Sequence, residues 1–600
     1  MNSPAPRAAS HVPLSRWLLL WAFASGLAFI CALYLLSLTL ANGEFVPGDH
    51  DSFYHARRIL HAVTHWPALY QFDALIHAPE GSWLTWPWGF DFTLALIVKA
   101  LLGLGVSVKP ISILVFVAPC WVLVNAGLML AIGVRLRLGL VPAALVMLAF
   151  ATSSLTLALH HVGMIDHHFV ELSFVLATLY CGLGWLEAPE NAGKACWLGL
   201  WLGLAPAFHN GDFILQLPVL GSLAVLWWLR KPPPLRASAA FAFTLLAVSA
   251  LALLPSEPFR RLMYSYTLHS WFHLHVAACT ASAALVLSGP RTGRRALWLV
   301  ACVAAGLPIL GEMQLGSEFL LGRLEQLSGM TEVTGVVDYL RAGEFARLFE
   351  LYSLLICLLP AGVAWVVWRA WRERSPARIF LAVYTLFGST LLLLQFRLEY
   401  FGSFALWLLP ALYVEERWLA SGSPHGRRAL LALAVLMPLA MLPGLKILTQ
   451  PMPLGGDVIY RPFLPLFAQL HERCAVSPGV VLAVNTLGHY LSYHSDCGVI
   501  SDNFILTRQH EEKLRLTNEL MTLPLADALR KAPYIRYVLV SRADAAFTDS
   551  CFPNCAANAG LRHELLEGNP VAPNLRLLGE VAFEKGSRRE PLARLFEITP

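Results

Sequence analysis

Two short polar segments interrupt an otherwise apolar chain, and both carry residue types that can hold a cation. The first is Val46-Pro47-Gly48-Asp49-His50-Asp51-Ser52-Phe53-Tyr54-His55-Ala56-Arg57-Arg58. Asp49 and Asp51 offer hard oxygen ligands to a divalent ion, while Arg57 and Arg58 suit an anionic substrate. The second is His160-His161-Val162-Gly163-Met164-Ile165-Asp166-His167-His168-Phe169-Val170-Glu171. Asp166 and His168, spaced i, i+2 at the start of an apolar run, can both face an ion that Asp51 also touches. Ionisable groups at the ends of membrane helices are costly, so their default reading is functional. The plain alternatives are solvated charges at a helix exit for the first segment and interfacial histidines for the second.

Such segments act together only if the intervening elements return them to one place. The chain has 600 residues, of which 57% are hydrophobic and 14% charged, and its mean hydropathy is +0.58. A soluble protein cannot keep that much apolar surface dry, so the class is a polytopic α-helical membrane protein. The net charge of +5 is small and gives no case for nucleic acid as a partner. The distribution of Lys and Arg says more. The first apolar run, 17–40, follows Arg7 and Arg16 and has no small-residue cleavage site after it, so it reads as a retained span.

About thirteen apolar spans follow one another from there to 429–447. The basic clusters at Arg135/Arg137, Arg230/Lys231/Arg236, Arg291–Arg295, Arg369–Arg378 and Arg427/Arg428 fall mostly on the side of the N-terminus. That bias predicts a cytoplasmic N-terminus and an outer C-terminus. The same alternation sends the Asp49/Asp51 loop, the Asp166/His168 loop, the 311–349 loop, Arg397 and the C-terminal region to the outer face.

The expected organisation is a transmembrane part, 1–449, with outer loops at 41–109 and 311–349, followed by a mixed α/β domain at 450–600. In the latter, Val480–Val484 and Tyr534–Val540 read as buried strands, and 509–521 and 525–531 as helices. Seven of the 11 cysteines lie in apolar runs and suit packing. In an oxidising compartment Cys551 and Cys555 could pair, zinc being the weaker alternative for them.

Asp51-Ser52-Phe53-Tyr54 and Gly163-Met164-Ile165-Asp166-His167-His168 resemble two motifs of the single-subunit oligosaccharyltransferases of bacteria and archaea. These are an aspartate followed by a small residue and aromatics in the first outer loop, and the archaeal D-x-H form of a D-x-D motif. The resemblance implies a GT-C architecture with thirteen membrane helices and an outer C-terminal domain. It further implies a glutamate in the fifth outer loop. Met330-Thr331-Glu332-Val333 is the best match for it, with Glu312 and Glu318 as rivals. An arginine that contacts the lipid diphosphate matches Arg397 in Phe396-Arg397-Leu398-Glu399-Tyr400.

By that resemblance, Asp51, Asp166 and His168 hold a divalent ion against the diphosphate of a polyprenyl-linked glycan. Arg397, with Arg57 and Asp49 as further substrate contacts, pairs with the phosphates, and Glu332 orients the acceptor nucleophile. The ion is Mn2+ or Mg2+, and an imidazole ligand favours manganese. The enzyme would lie in the inner or plasma membrane of a bacterium or archaeon and act on a protein or envelope acceptor.

The sequence departs from the family at the acceptor motif W-W-D-Y-G, where Val484-Asn485-Thr486-Leu487-Gly488-His489 keeps only the glycine. It also lacks the arginine that usually precedes the D-x-D. The competing readings are a GT-C transferase using a polyprenyl-phosphate sugar on lipid or polysaccharide, and a non-enzymatic transporter or flippase. The latter calls for repeat symmetry and mid-helix charges, whereas the charges here gather at one face.

Overall fold

The computed structural model describes residues 12–37, 39–41, 43–290, 292–317, 331–419, 425–449, 457–542, 560–561, 563–567, 574–585 and 588–599. Among these residues, nine helices are long and apolar enough to cross a bilayer, from Leu14–Leu35 to Gly426–Leu448. The pair Leu140–Thr152 and Ser154–His160, bent by 54°, makes a tenth if it counts as one span. Shorter apolar helices, Ala192–Phe208, Trp271–Leu287 and Ser403–Val414, take the remaining expected positions. Every apolar segment read from the sequence therefore has its helix.

The bundle is organised around His168–Glu187, which is 89% buried inside the protein. Only small residues let neighbours come this close. A Cβ on Gly182 would lie 2.1 Å from the Phe380 ring, and the Tyr384 hydroxyl donates to the Val175 carbonyl at 2.8 Å. Gly199 and Gly203, one turn apart, set Ala192–Phe208 directly on the backbone of Leu235–Leu253, where a Cβ on Gly199 would meet the Phe241 carbonyl at 2.7 Å. Close backbone approach replaces the hydrophobic effect as the adhesive between helices in lipid.

The long loop after the first span is more ordered than its composition suggests. Helix His50–Thr64 is capped by Asp49, whose carboxylate accepts from the Ser52 amide at 2.7 Å. A short ladder joins Phe72–Asp73 to Ser82–Trp83, and helix Trp88–Gly103 follows. Phe53, Tyr54, Ile76, Leu84 and Trp86 of this loop share one hydrophobic core with Phe467, Tyr490, Leu491 and Phe504 of the C-terminal region. Backbone bonds seal the contact: the Ala78 amide donates to Val499 at 2.9 Å and the Val499 amide to Leu75 at 2.7 Å. Burying an aromatic of this size contributes about 1.5–3 kcal/mol, so the docking is firm.

The C-terminal region opens with helix Asp457–Val476 and centres on a five-stranded mixed sheet. Val480–Leu482 runs parallel to both Gly498–Val499 and Ile535–Ser541. An antiparallel hairpin, Leu575–Lys585 with Arg588–Ile598, extends the sheet beyond Ile535–Ser541. Helices Arg508–Thr522 and Leu525–Lys531 lie where the apolar spacing put them. The hairpin is an addition, since its exposed strand alternates too weakly to stand out in sequence. The disulfide joins Cys474 to Cys497; Cys551 and Cys555 lie outside the described residues.

Candidate active site

Two glycines bring the acidic loops together. The Gly48 amide donates to the Gly163 carbonyl at 2.9 Å, and the Gly163 amide donates to Val115 at 2.8 Å. Gly163 has φ +87°, and a Cβ there would meet Thr39 at 2.6 Å and the Gly48 nitrogen at 3.1 Å. Next to this crossing the Ile165 amide donates to the Ser52 hydroxyl at 2.8 Å. The small residue after Asp51 is therefore a clamp between loops 113 residues apart in sequence.

Asp166 stands among imidazoles. His168 Nε2 lies 3.2 Å and His55 Nε2 3.6 Å from its carboxylate, and His167 Nδ1 touches it as well. His55 is held from behind. Its Nδ1 is 2.7 Å from Asp91, which also accepts from Arg58 Nη1 at 2.7 Å, so the pair Arg58–Asp91 keeps Nε2 turned to Asp166. His168 is held the same way: its Nδ1 is 2.7 Å from Glu171, whose other oxygen accepts from the Tyr400 hydroxyl at 2.7 Å.

Asp51 is 37% exposed, with its Oδ1 3.5 Å from His489 Nδ1 of the C-terminal region. None of the tight donor groups among the described residues includes it. Those groups, whose donor atoms lie within 4.8 Å of one another, are His55/Asp166/His167, His167/His168/Glu171 and Glu171/His209/Asp212. Asp51 nonetheless feels the charges of Asp166 and His168.

The opposite wall comes from the 331–333 turn and the segment after helix Pro376–Leu394. The Phe396 amide donates to the Thr334 carbonyl at 3.2 Å, and Arg397 Nε donates to Gln395 at 2.9 Å. That bond sets Glu332 and Arg397 side by side, and Glu332 feels the charges of His168, Asp166, Arg397 and Asp49.

The electrostatics ask for a cation. Desolvation, followed by repulsion from Asp166, Asp49 and Glu332, holds the Asp51 carboxyl well above the usual range. Desolvation raises Asp49 too, with Asp166 adding to it, and raises Glu332. Asp166 goes the other way: burial opposes ionisation, but His167, His168 and His55 carry it well below the ordinary value. Desolvation lowers Arg397 despite the nearby Glu332. Carboxylates crowded like this cannot all ionise unless a positive charge joins them. The donor set, carboxylate oxygens with one imidazole, fits a divalent transition ion better than magnesium.

No protein-family model matches the sequence, and no curated protein does. Solved structures of the oligosaccharyltransferase of Archaeoglobus fulgidus superpose on nearly the whole chain. AglB in complex with an inhibitory peptide and a dolichol-phosphate gives a TM-score of 0.72 at 14% identity, covering 94% of this chain and 80% of that one. The enzyme tethered to an acceptor peptide containing the NVT sequon gives 0.70 at 15% identity, with coverages of 94% and 80%. Its complex with Zn and sulfate gives 0.62 at 16% identity, with coverages of 94% and 73%. This is the fold of an archaeal oligosaccharyltransferase.

Set in that fold, Asp49, Asp51, Asp166, His168, Glu332 and Arg397 converge. Arg57 does not join them; its guanidinium pairs with Asp73 at 2.6 Å and lies over the Tyr54 and Tyr70 rings. Asp49 spends one oxygen capping its helix. Of the rival glutamates, Glu312 accepts from the Tyr266 amide at 3.2 Å, and Glu318 lies outside the described residues. Sequence reasoning missed His55, Asp91, Glu171 and His489. Glu171 was findable, because i, i+3 from His168 puts it on the same helix face. Asp91 was findable as a carboxylate inside an apolar helix. His489 had no sequence signal, since its role depends on how the C-terminal region docks.

Proposed function

We propose that this protein is a metal-dependent glycosyltransferase that moves a glycan from a polyprenyl-diphosphate donor to an acceptor at the outer membrane face. The observation that carries the reading is the meeting of Asp51, Asp166, His168, Glu332 and Arg397 at the one end of the bundle where the C-terminal region docks. Asp51, Asp166 and His168 would hold the ion. When bound, a divalent ion supplies positive charge to a departing diphosphate. Arg397 adds a fixed guanidinium for the same phosphates, and its partly desolvated setting strengthens that pairing. Glu332, beside Arg397, accepts hydrogen bonds from the acceptor nucleophile and orients it. His55 and Glu171 act through their neighbours, fixing Asp166 and His168 in place.

The two-part organisation, 1–449 and 450–600, belongs to the same proposal, as does an inner or plasma membrane location with the N-terminus cytoplasmic. The Cys474–Cys497 disulfide supports an outer C-terminal region, because such bonds persist in oxidising compartments. The segment matched to the acceptor motif, Asn485–Leu487 and the helix from Gly488, sits beside Asp51 through His489. It carries no carboxylate and no indole, so the acceptor is either a protein site with a relaxed sequence requirement or an envelope polysaccharide or lipid.

The test is transfer by the purified protein from a polyprenyl-diphosphate glycan, with envelope extracts and peptides as acceptors. Asp51→Asn, Asp166→Asn and His168→Gln should each abolish transfer with the protein still folded in the membrane. Manganese should support more transfer than magnesium. Full activity in Asp166→Asn would end the metal reading; no transfer from any diphosphate donor, with activity from a monophosphate one, would favour the polyprenyl-phosphate alternative.

A further inference from the structure

Beyond Glu171, which steadies His168, lies a second cluster of ligand types whose other members take no part in the proposed reaction. Glu171 comes from the first turn of the central helix, His209 from the end of helix Ala192–Phe208, and Asp212 from the turn that follows. Their donor atoms all lie within 4.8 Å of one another, with His209 Nδ1 2.5 Å from Glu171 Oε1. His167 Nε2 approaches the same carboxylate at 3.7 Å, and its ring stacks on His209 with centroids 4.4 Å apart. Asp212 and Glu171 are completely buried, and among the described residues neither Asp212 oxygen has a hydrogen-bond donor. A buried carboxylate without partners, pressed against a second carboxylate, is strongly unfavourable unless a positive charge lies between them.

We propose that Glu171, His209 and Asp212, with the His167 ring stacked on His209 beside them, form a second metal site of the zinc type, separate from the Asp51–Asp166–His168 site. One imidazole nitrogen and two carboxylate oxygens are ligand types that zinc accepts, in the three-protein-ligand number that leaves a position open. An all-oxygen magnesium shell does not fit it. The surroundings match a ligand set: His167 turns its other nitrogen to Asp166, and Glu171 is fixed by the Tyr400 hydroxyl and His168 Nδ1. His209 is 26% exposed, which gives an ion its way in. The ion would pin Glu171 and hence the angle at which His168 presents Nε2 to the first site.

The experiment loads the full-length protein in detergent with zinc chloride, removes loose metal by gel filtration, and counts zinc per chain by elemental mass spectrometry. Asp212→Asn and His209→Gln should each retain about one equivalent less than the wild type, and Asp166→Asn should lose a different equivalent, so that the double variant Asp166→Asn/Asp212→Asn loses both. Wild type and both Asp212→Asn and His209→Gln holding equal zinc would overturn the proposal and leave the carboxylates sharing a proton. Should Asp212→Asn fail to fold, zinc-edge absorption on Asp166→Asn decides: imidazole and oxygen ligands at roughly 2.0–2.2 Å support the site, and no bound zinc overturns it. Loss of zinc in Asp212→Asn but none in Asp166→Asn would uphold this site while removing the catalytic one.

Discussion

His489 Nδ1 lies 3.5 Å from Asp51 Oδ1 and 3.1 Å from the His50 carbonyl. One side chain of the C-terminal region thus reaches into the first turn of helix His50–Thr64 and touches the residue proposed to hold the catalytic ion. On its other side Nε2 is 3.6 Å from Asp502, which is 3.3 Å from His77 of the first loop. A chain of alternating acids and imidazoles therefore crosses the boundary twice. Removing the imidazole with its packing kept, as in His489→Phe, deletes a charge-assisted contact worth roughly 1.5–3 kcal/mol. The expected result is a fall in transfer of about tenfold to a hundredfold, measured at a temperature where the variant, which also loses the Asp502 contact, is still folded. Unchanged transfer at unchanged stability would show that His489 does not position Asp51.

Asp502 makes the docking pH-sensitive. Burial opposes its ionisation, but His77 and His489 outweigh it and hold the carboxyl well below the ordinary range. A folded-state value below the unfolded one stabilises the protein above the unfolded value, about 3.9, and loses that stabilisation as pH falls toward the folded value. Thermal unfolding of the wild type and Asp502→Asn should therefore differ by about 1–3 kcal/mol at pH 5–6, and the gap should begin to close only below about pH 4, narrowing further as pH falls toward the folded value. A gap that widens on acidification would reverse the sign and exclude this role.

The glycine crossing allows a test that touches no catalytic group. Gly163 combines φ +87° with a Gly48 nitrogen 3.1 Å from where its Cβ would sit. Gly163→Ala forces the two acid-bearing loops apart, at a cost of about 1–3 kcal/mol in strain. Gly26, with nothing within 4 Å, is the matched control. Transfer should drop at least tenfold in Gly163→Ala and stay near wild type in Gly26→Ala. Equal activities would mean that the loops tolerate a shift and that the site is assembled by the donor or the ion instead.

The membrane helices were legible because a span must be apolar all round, and that signal does not depend on partners. Asp166 and His168 stood out as candidates because charged groups at a helix end contrast with the apolar run, and the structure sets them side by side. Arg57 was misleading: its pairing with Asp73 is decided by a short ladder whose Phe72–Asp73 strand carries no pattern. The Cys474–Cys497 bond was equally hidden, since connectivity follows from packing of helix Asp457–Val476 on Gly488–His494 rather than from spacing. The long first loop read as irregular because half of its hydrophobic face is covered by residues more than four hundred positions away. Physical contacts between distant segments leave no periodicity behind them.

The acceptor provides the last test. Reading a hydroxyl two residues past the target asparagine takes a fixed acceptor group within aromatic walls. At the matching place Thr486 brings no charge, Val484 brings no ring, and the Asn485 amide donates to Asn503 at 3.2 Å. Sites built to hydrogen-bond a hydroxyl discriminate strongly because the analogue leaves their buried groups unpaired. No such group stands here, so a threonine hydroxyl gains little over a methyl. Two peptides differing only in Thr or Ala at the second position after Asn should be glycosylated within about threefold of each other, or neither should be glycosylated while an envelope acceptor is. Efficient transfer to the threonine peptide alone would show that other residues, outside the 484–488 segment, read the hydroxyl, and Asn503 and Tyr490 would be the first to substitute.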